Sequence, residues 1–259
     1  LSESSHSSGV LVGRNQSCSI MVNEEDHFRI QVLRNGFDLE KTWKAIDILD
    51  TKMEERLDYA FSDQLGYLTA CPTNLGTGMR ASAMLHLPGL VLSDQIAQVL
   101  QAVGKLQLAV RGFFGEGTES LGNLFQISNQ STLGESEETI IRRLERVIEQ
   151  VVSHERNARL KLFEDDADMV FDRVGRAYGT LRHAHIIASK EALNLLSLLR
   201  LGAELEFFPP ETGGTCDSLL MEIQPAHLQL HSGKKLTPEQ RDAIRAEIIR
   251  TRLQSLDPP

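Results

Sequence analysis

The sequence predicts an α+β protein, with an antiparallel or mixed β-sheet flanked by helices. Two observations carry this. In the first half, short alternating runs neighbour one another like hairpins and are interleaved with helical stripes. Beyond Ser136 the chain turns to amphipathic helices, with a last strand expected at residues 219–223.

The first strand is expected at residues 18–22. The second spans 27–33, with Phe28, Ile30 and Val32 on one face and Arg29, Gln31 and Leu33 on the other. Asn35-Gly36 closes it as a turn. A helix over residues 38–61 follows, with Asp38 at the N-cap and Glu40 in the first turn. Leu39, Trp43, Ile46, Leu49 and Met53 recur at helical steps, which puts Trp43 in the core. Residues 71–80 form a loop, and 81–87 a strand. Ser93 can cap a helix over 94–103, and strands follow at 106–110 and 123–128. Ile140, Ile141, Leu144, Val147, Ile148, Val151 and Val152 mark a helix opened by Ser136. Further helices are expected at 166–181 and 190–199. Pro209-Pro210 and Gly213-Gly214 read as a loop, and Thr237-Pro238 opens a last helix to about residue 253.

Composition narrows the function classes. At about 150 residues per domain, 259 residues make one large domain or two small ones. No run approaches the roughly 18 apolar residues of a membrane-spanning helix. Cys18, Cys71 and Cys216 are too few and too scattered for a disulfide scaffold or a zinc site, and they point to a reducing, cytoplasmic setting. A net charge of -9 argues against direct nucleic-acid binding. The chain starts at Leu1 without a signal-peptide pattern, so processing or a longer parent is expected.

Three segments are too polar for their neighbourhood. Asn23-Glu24-Glu25-Asp26-His27-Phe28-Arg29 places adjacent carboxylates at a strand entry. They suit either a solvated loop or a carboxylate that orients or deprotonates a cationic substrate, or holds a metal. Cys71-Pro72-Thr73-Asn74-Leu75-Gly76-Thr77-Gly78-Met79-Arg80 lacks the P-loop pattern. Its cysteine is either a structural thiol or a thiolate near positive charge. Arg111-Gly112-Phe113-Phe114-Gly115-Glu116-Gly117 is glycine-punctuated, as a flap would be. Arg29, Arg80 and Arg111 each adjoin one segment, and guanidinium forks match phosphate oxygens.

Together these segments resemble the signatures of the ATP:guanidino phosphotransferases, the family of creatine and arginine kinases, over residues 19–254. Met84 in Arg80-Ala81-Ser82-Ala83-Met84 and the Gly112-Phe113-Phe114-Gly115 run are closer to its bacterial protein-arginine kinase branch. Arg241-Asp242-Ala243-Ile244-Arg245-Ala246 resembles the RDxxRA phosphoarginine receptor of that branch. Taken alone, the same six residues would read as charge pairing on a helix, since Asp242 and Arg245 stand at i, i+3.

The resemblance implies a guanidino kinase catalytic domain at residues 18–259, a linker remnant at 1–17 and a receptor helix near 237–253. It implies transfer of the γ-phosphoryl of ATP, with Mg2+ bound mainly through the nucleotide, to arginine in proteins. Glu25 would hold the guanidinium and act as base, Glu116 would clamp it, and Cys71 would approach it as a thiolate. Arg29, Arg80 and Arg111 would neutralise phosphate charge. The backbone of Ala81, Ser82, Ala83, Met84, Gly112, Phe113, Phe114 and Gly115 would line the nucleotide site. Glu24 and Asp26 stay open between a place near magnesium and plain solvated acids. The implied partners are protein substrates with accessible arginines, a Clp-type protease and a second copy of the chain. A small-molecule guanidino kinase and a non-catalytic phosphoarginine-binding module are the alternatives. Family members also carry an N-terminal helical domain with further phosphate-binding arginines, which nothing before Ser19 matches, so weak activity is expected of these residues alone.

Overall fold

The computed structural model describes residues 7–112, 120–254 and 256. The chain divides into two units. Unit 1 comprises Leu1–Ala83, Gln101–Val110 and Ile127–Gln150; unit 2 comprises Met84–Leu100, Arg111–Gln126 and Val151–Pro259.

Unit 1 opens on three antiparallel strands in the order β1-β2-β3: β1 (Gly9–Val12), β2 (Cys18–Val22) and β3 (Phe28–Val32). The register sets Ile20 opposite Ile30 and Val22 opposite Phe28, as the alternating pattern requires. β1 lies within the stretch expected as linker and pairs along its whole length with β2. Helix α1 (Leu39–Glu54) starts at Asp38, whose carboxylate accepts the Lys41 N–H at 2.9 Å. It ends at Glu54 rather than residue 61, because Phe61–Ser62 (β4) leaves to pair with Gly66–Tyr67 (β5). Trp43 is only partly buried, and no residue of α1 is fully buried. The core expectation for Trp43 is therefore corrected: α1 packs against β3 and takes the Tyr59 and Tyr67 hydroxyls on Asp50 and Glu54, and Trp43 stays partly exposed.

β6 (Ser82–His86) leads into α2 (Pro88–Leu92) and α3 (Ile96–Lys105). Ser93 does not cap the following helix. Its Oγ donates back to the Gly89 carbonyl at 2.7 Å and closes α2, and Asp94 breaks the chain at φ 58°. β7 (Leu108–Gly112) and β8 (Leu124–Asn129) complete a sheet in the order β6-β8-β7. Helix α4 (Glu137–Asp165) begins where Ser136 Oγ accepts the Thr139 N–H at 3.3 Å. Its stripe residues Ile140, Ile141, Leu144 and Ile148 are buried in unit 1, as are Val103, Leu108 and Ile127.

The rest of unit 2 is helical: α5 (Ala167–His183), α6 (Ser189–Glu204), α7 (Glu211–Glu222), α8 (Pro225–Ser232) and α9 (Pro238–Leu253). Its core joins Val174, Leu193, Leu196, Cys216, Leu219 and Ile249. Burial pushes the Cys216 thiol up to about 12, so it stays protonated. Two expectations are corrected here. Gly213-Gly214 is not a loop, and residues 219–223 are not a strand: both lie in α7 or at its C-cap. The apolar positions Cys216, Leu219 and Ile223 are spaced three and four apart, so they bury one helix face. α9 starts with a full capping box between Thr237 and Gln240. Among the described residues no helix is long and apolar enough to cross a membrane.

Candidate active site

The acid-rich turn joins β2 to β3 in unit 1. Asn23 adopts φ 53°, which its short amide side chain tolerates, and its N–H donates to the His27 carbonyl at 3.0 Å. Glu24, Glu25 and Asp26 stand at the tip of this closed turn, and the structure gives them three different fates. Glu24 pairs with Arg29 at 3.4 Å, an exposed and weak contact. Asp26 turns to another segment and accepts the Ala70 N–H at 2.6 Å. Glu25 is exposed and has no partner among the described residues.

The Asp26 bond brings the turn to the head of the second polar segment, since Ala70 precedes Cys71. Pro72–Asn74 forms a 3-10 turn that starts at Cys71. The Thr73 hydroxyl lies 3.0 Å from Cys71 Sγ and accepts Arg80 Nη2 at 3.2 Å. Arg80 Nε also donates to Asn74 Oδ1 at 3.3 Å. The Thr73 hydroxyl therefore contacts both the sulfur and the guanidinium. In unit 1 the Asp26–Ala70 bond thus ties the turn that carries Glu25 to the loop of Cys71 and Arg80, with Arg29 on the strand that leaves the acid turn. Arg80 is exposed.

The loop is braced from the side. Tyr67 and Gly76 exchange backbone bonds at 2.8 and 3.2 Å. Asn129, fully buried, accepts the Ala81 N–H at 2.8 Å and donates to the Met79 carbonyl at 3.0 Å. Sequence reading passed over Asn129 because a single amide at the end of a strand has no local signature. Ala81 and Ala83 are partly buried and Ser82 is exposed.

Met84 and Arg111 belong to unit 2, where both are exposed, and Gly112 is partly buried. Phe113, Phe114, Gly115 and Glu116 lie outside the described residues. Among the described residues no group of three or more His, Cys, Asp or Glu side chains could hold a metal ion.

The 241–246 segment lies on α9 in unit 2. Arg245 is 1% exposed. Its guanidinium donates to the Ile223 carbonyl at 3.2 Å and the Ile187 carbonyl at 2.9 Å, and pairs with Asp242. Ala246 is buried in the helical core. Arg241 donates to the Leu236 carbonyl at 3.0 Å. The motif thus divides: Arg245 ties helices together, while Arg241 and Asp242 keep accessible surface.

Fold and loops together define a guanidino-phosphotransferase catalytic domain. The family described as ATP:guanido phosphotransferase, C-terminal catalytic domain, matches residues 1–158, and the chain belongs to that family. Its branch is that of the protein-arginine kinases: the family described as protein-arginine kinase McsB C-terminal domain matches residues 167–259. The chain is 49% identical to the protein-arginine kinase of Pelotomaculum thermopropionicum over 247 residues, covering 95% of this chain and 69% of that protein. It is 49% identical to that of Brevibacillus brevis over 257 residues, covering 99% and 72%. Among solved structures, a lombricine kinase matches with TM-score 0.50 and 29% identity over 57% of this chain and 42% of that one. A duplicated taurocyamine kinase from Schistosoma mansoni matches in fold, with TM-score 0.52 and 22% identity over 72% of this chain and 30% of that one.

Proposed function

We propose that this chain supplies the catalytic domain of a kinase that moves the γ-phosphoryl of MgATP to an arginine side chain in a protein. The observation that carries the reading is the Asp26–Ala70 bond, which brings the exposed Glu25 to the loop holding Cys71 and Arg80. The protein-arginine kinase match over residues 167–259 favours a protein substrate over a free metabolite.

The chemistry sets the roles. A guanidinium carries its proton to above pH 12 and is a poor nucleophile. Glu25 accepts a hydrogen bond from the substrate guanidinium and takes the proton released as nitrogen bonds to phosphorus. Cys71 holds the guanidinium from a second side, and Glu116 is proposed as the further carboxylate clamp. The bond from phosphorus to the bridging oxygen breaks, and ADP leaves. Arg29, Arg80 and Arg111 are proposed to offset the charge on the phosphoryl oxygens in flight. Mg2+, held mainly by the triphosphate, would supply further charge neutralisation there. Backbone groups of residues 80–84 and 111–116 are proposed to line the nucleotide site.

A Clp-type protease that reads the mark, a homodimeric state and a cytoplasmic setting belong to the same proposal. So does phosphoarginine capture on α9. There the partial exposure of Arg241 and Asp242, against the burial of Arg245, supports contact through the first two.

In the intact protein, Glu25→Gln should abolish acid-labile phosphate on a protein substrate while thermal melting stays near wild type. Undiminished phosphorylation would remove Glu25 from the reaction. Phosphate on free arginine in preference to protein would favour the metabolite kinase.

A further inference from the structure

The loop that carries Cys71 and Arg80 rests on a residue outside every kinase motif named above. Thr132 follows β8 and is 3% exposed. Its single hydroxyl proton is shared between the Thr73 carbonyl at 3.0 Å and the Leu75 carbonyl at 2.7 Å. Its own carbonyl accepts the Thr77 N–H at 2.9 Å. Between these bonds the loop touches Thr132 directly. A Cβ on Gly76 would stand 2.3 Å from the Thr132 carbonyl oxygen, and Gly76 adopts φ 108°. Residues 73, 75, 76 and 77 are thus all set by one buried threonine.

Thr73 is the residue that matters downstream, since its hydroxyl stands between Cys71 Sγ and Arg80 Nη2. A hydrogen bond to the Thr73 carbonyl fixes the peptide from which that hydroxyl projects. We propose that Thr132 is a positioning residue for phosphoryl transfer: it holds Thr73, and through Thr73 it sets Cys71 and Arg80 against the reacting groups. The proposal rests on the reading that Cys71 and Arg80 act in the reaction. Phosphoryl transfer depends on placement more than on covalent chemistry, so a small shift in these two groups reaches the rate. Leu75 and Gly76 need not contact substrate for this to hold.

The test compares Thr132→Val and Thr132→Ser with wild type in the intact protein, with kcat and KM for ATP and for a protein substrate. Valine keeps the shape and removes the proton, whereas serine restores the proton without the methyl. The expected result is a fall in kcat of about tenfold or more for Thr132→Val. KM for the protein substrate should change less, and Thr132→Ser should recover most of the rate. The alkylation rate of Cys71 should also change in Thr132→Val and return in Thr132→Ser. A wild-type kcat in Thr132→Val overturns the proposal. So does a Thr132→Ser variant as impaired as Thr132→Val, because packing and not the hydroxyl would then be at work. If Thr132→Val melts below the assay temperature, Thr132→Ala is read by the same two criteria. Cys71→Ala and Arg80→Ala serve as controls. If both turn over at the wild-type rate, the reading underneath fails, and the proposal goes with it.

Discussion

The carboxylate of Asp26 accepts the backbone N–H of Ala70 at 2.6 Å across 44 residues of sequence. It is a long-range tie between the acid turn and the cysteine loop, and it makes one site of two motifs. Asp26→Ala removes the tie while leaving Glu25, Cys71 and Arg80 in place. We expect a large loss of kcat with a stability cost of only about 1 kcal/mol, because the bond is exposed to water. Asp26→Asn keeps an acceptor oxygen and should fall between the two. Steady-state kinetics with thermal melting checks this; a kcat unchanged in Asp26→Ala would show that the tie is not needed.

Gly76→Ala tests the same loop from its packed side. The new methyl would meet the Thr132 carbonyl oxygen, and alanine resists φ 108°. The strain should cost on the order of 1–3 kcal/mol in stability and reduce activity. Gly78→Ala is the control, since its Cβ would have only the Asn74 carbonyl at 4.0 Å and φ 62° to contend with. Chemical denaturation of the two variants should separate them, with Gly76→Ala the weaker.

Arg245 and its motif neighbours should part company under substitution. Arg245→Ala strips donors from the buried Ile187 and Ile223 carbonyls and leaves Asp242 without its partner. We expect a loss of about 3 kcal/mol, read as a lowered denaturation midpoint. Arg241→Ala should leave the midpoint near wild type and weaken phosphoarginine binding by calorimetry. A fully stable Arg245→Ala would refute the structural assignment.

His86 gives a pH dependence with a definite sign. Its Nε2 lies 2.8 Å from Ser197 Oγ, which also accepts Asn123 Nδ2 at 2.8 Å. Burial first, then Arg200 and Arg159, hold its pKa well below the ordinary histidine value. Above the unfolded pKa of about 6.5 the ring is neutral in both states and costs nothing. As pH falls below that value the unfolded chain takes up a proton that the folded one does not. Stability is therefore lost from about pH 6.5 downward, until the folded pKa is reached. His86→Gln should lessen this slope. Melting temperatures recorded between about pH 7.5 and pH 5 for both proteins check it. Parallel curves would remove His86 from the effect.

Much of the fold is written locally. Asp38, Asp166 and Thr237 cap their helices as their side-chain chemistry predicts. The alternation in residues 28–32 sets the β2–β3 register, and the stripe of residues 140–148 buries the face it names. The loop motifs are equally legible, because a turn of three acids or a glycine-rich cysteine loop is a contiguous string. Misreadings arose where a short apolar run fits both periods. Residues 219–223 look like a strand in isolation, and only packing of Cys216, Leu219 and Ile223 into the helical core selects the helix.

The sequence by itself determined the class of protein, the chemistry of its loops and most element types, since these depend on neighbours a few residues apart. Only the tertiary structure decided which of three adjacent acids has no partner among the described residues, and that Arg245 is a strut. It also showed that Thr132 underlies the cysteine loop. Those assignments rest chiefly on hydrogen bonds between residues far apart in sequence, such as Asp26 with Ala70, Arg245 with Ile223 and Thr132 with Thr73. Such partners are set by where the folded chain brings its buried donors and acceptors, each of which must find a mate once water is excluded.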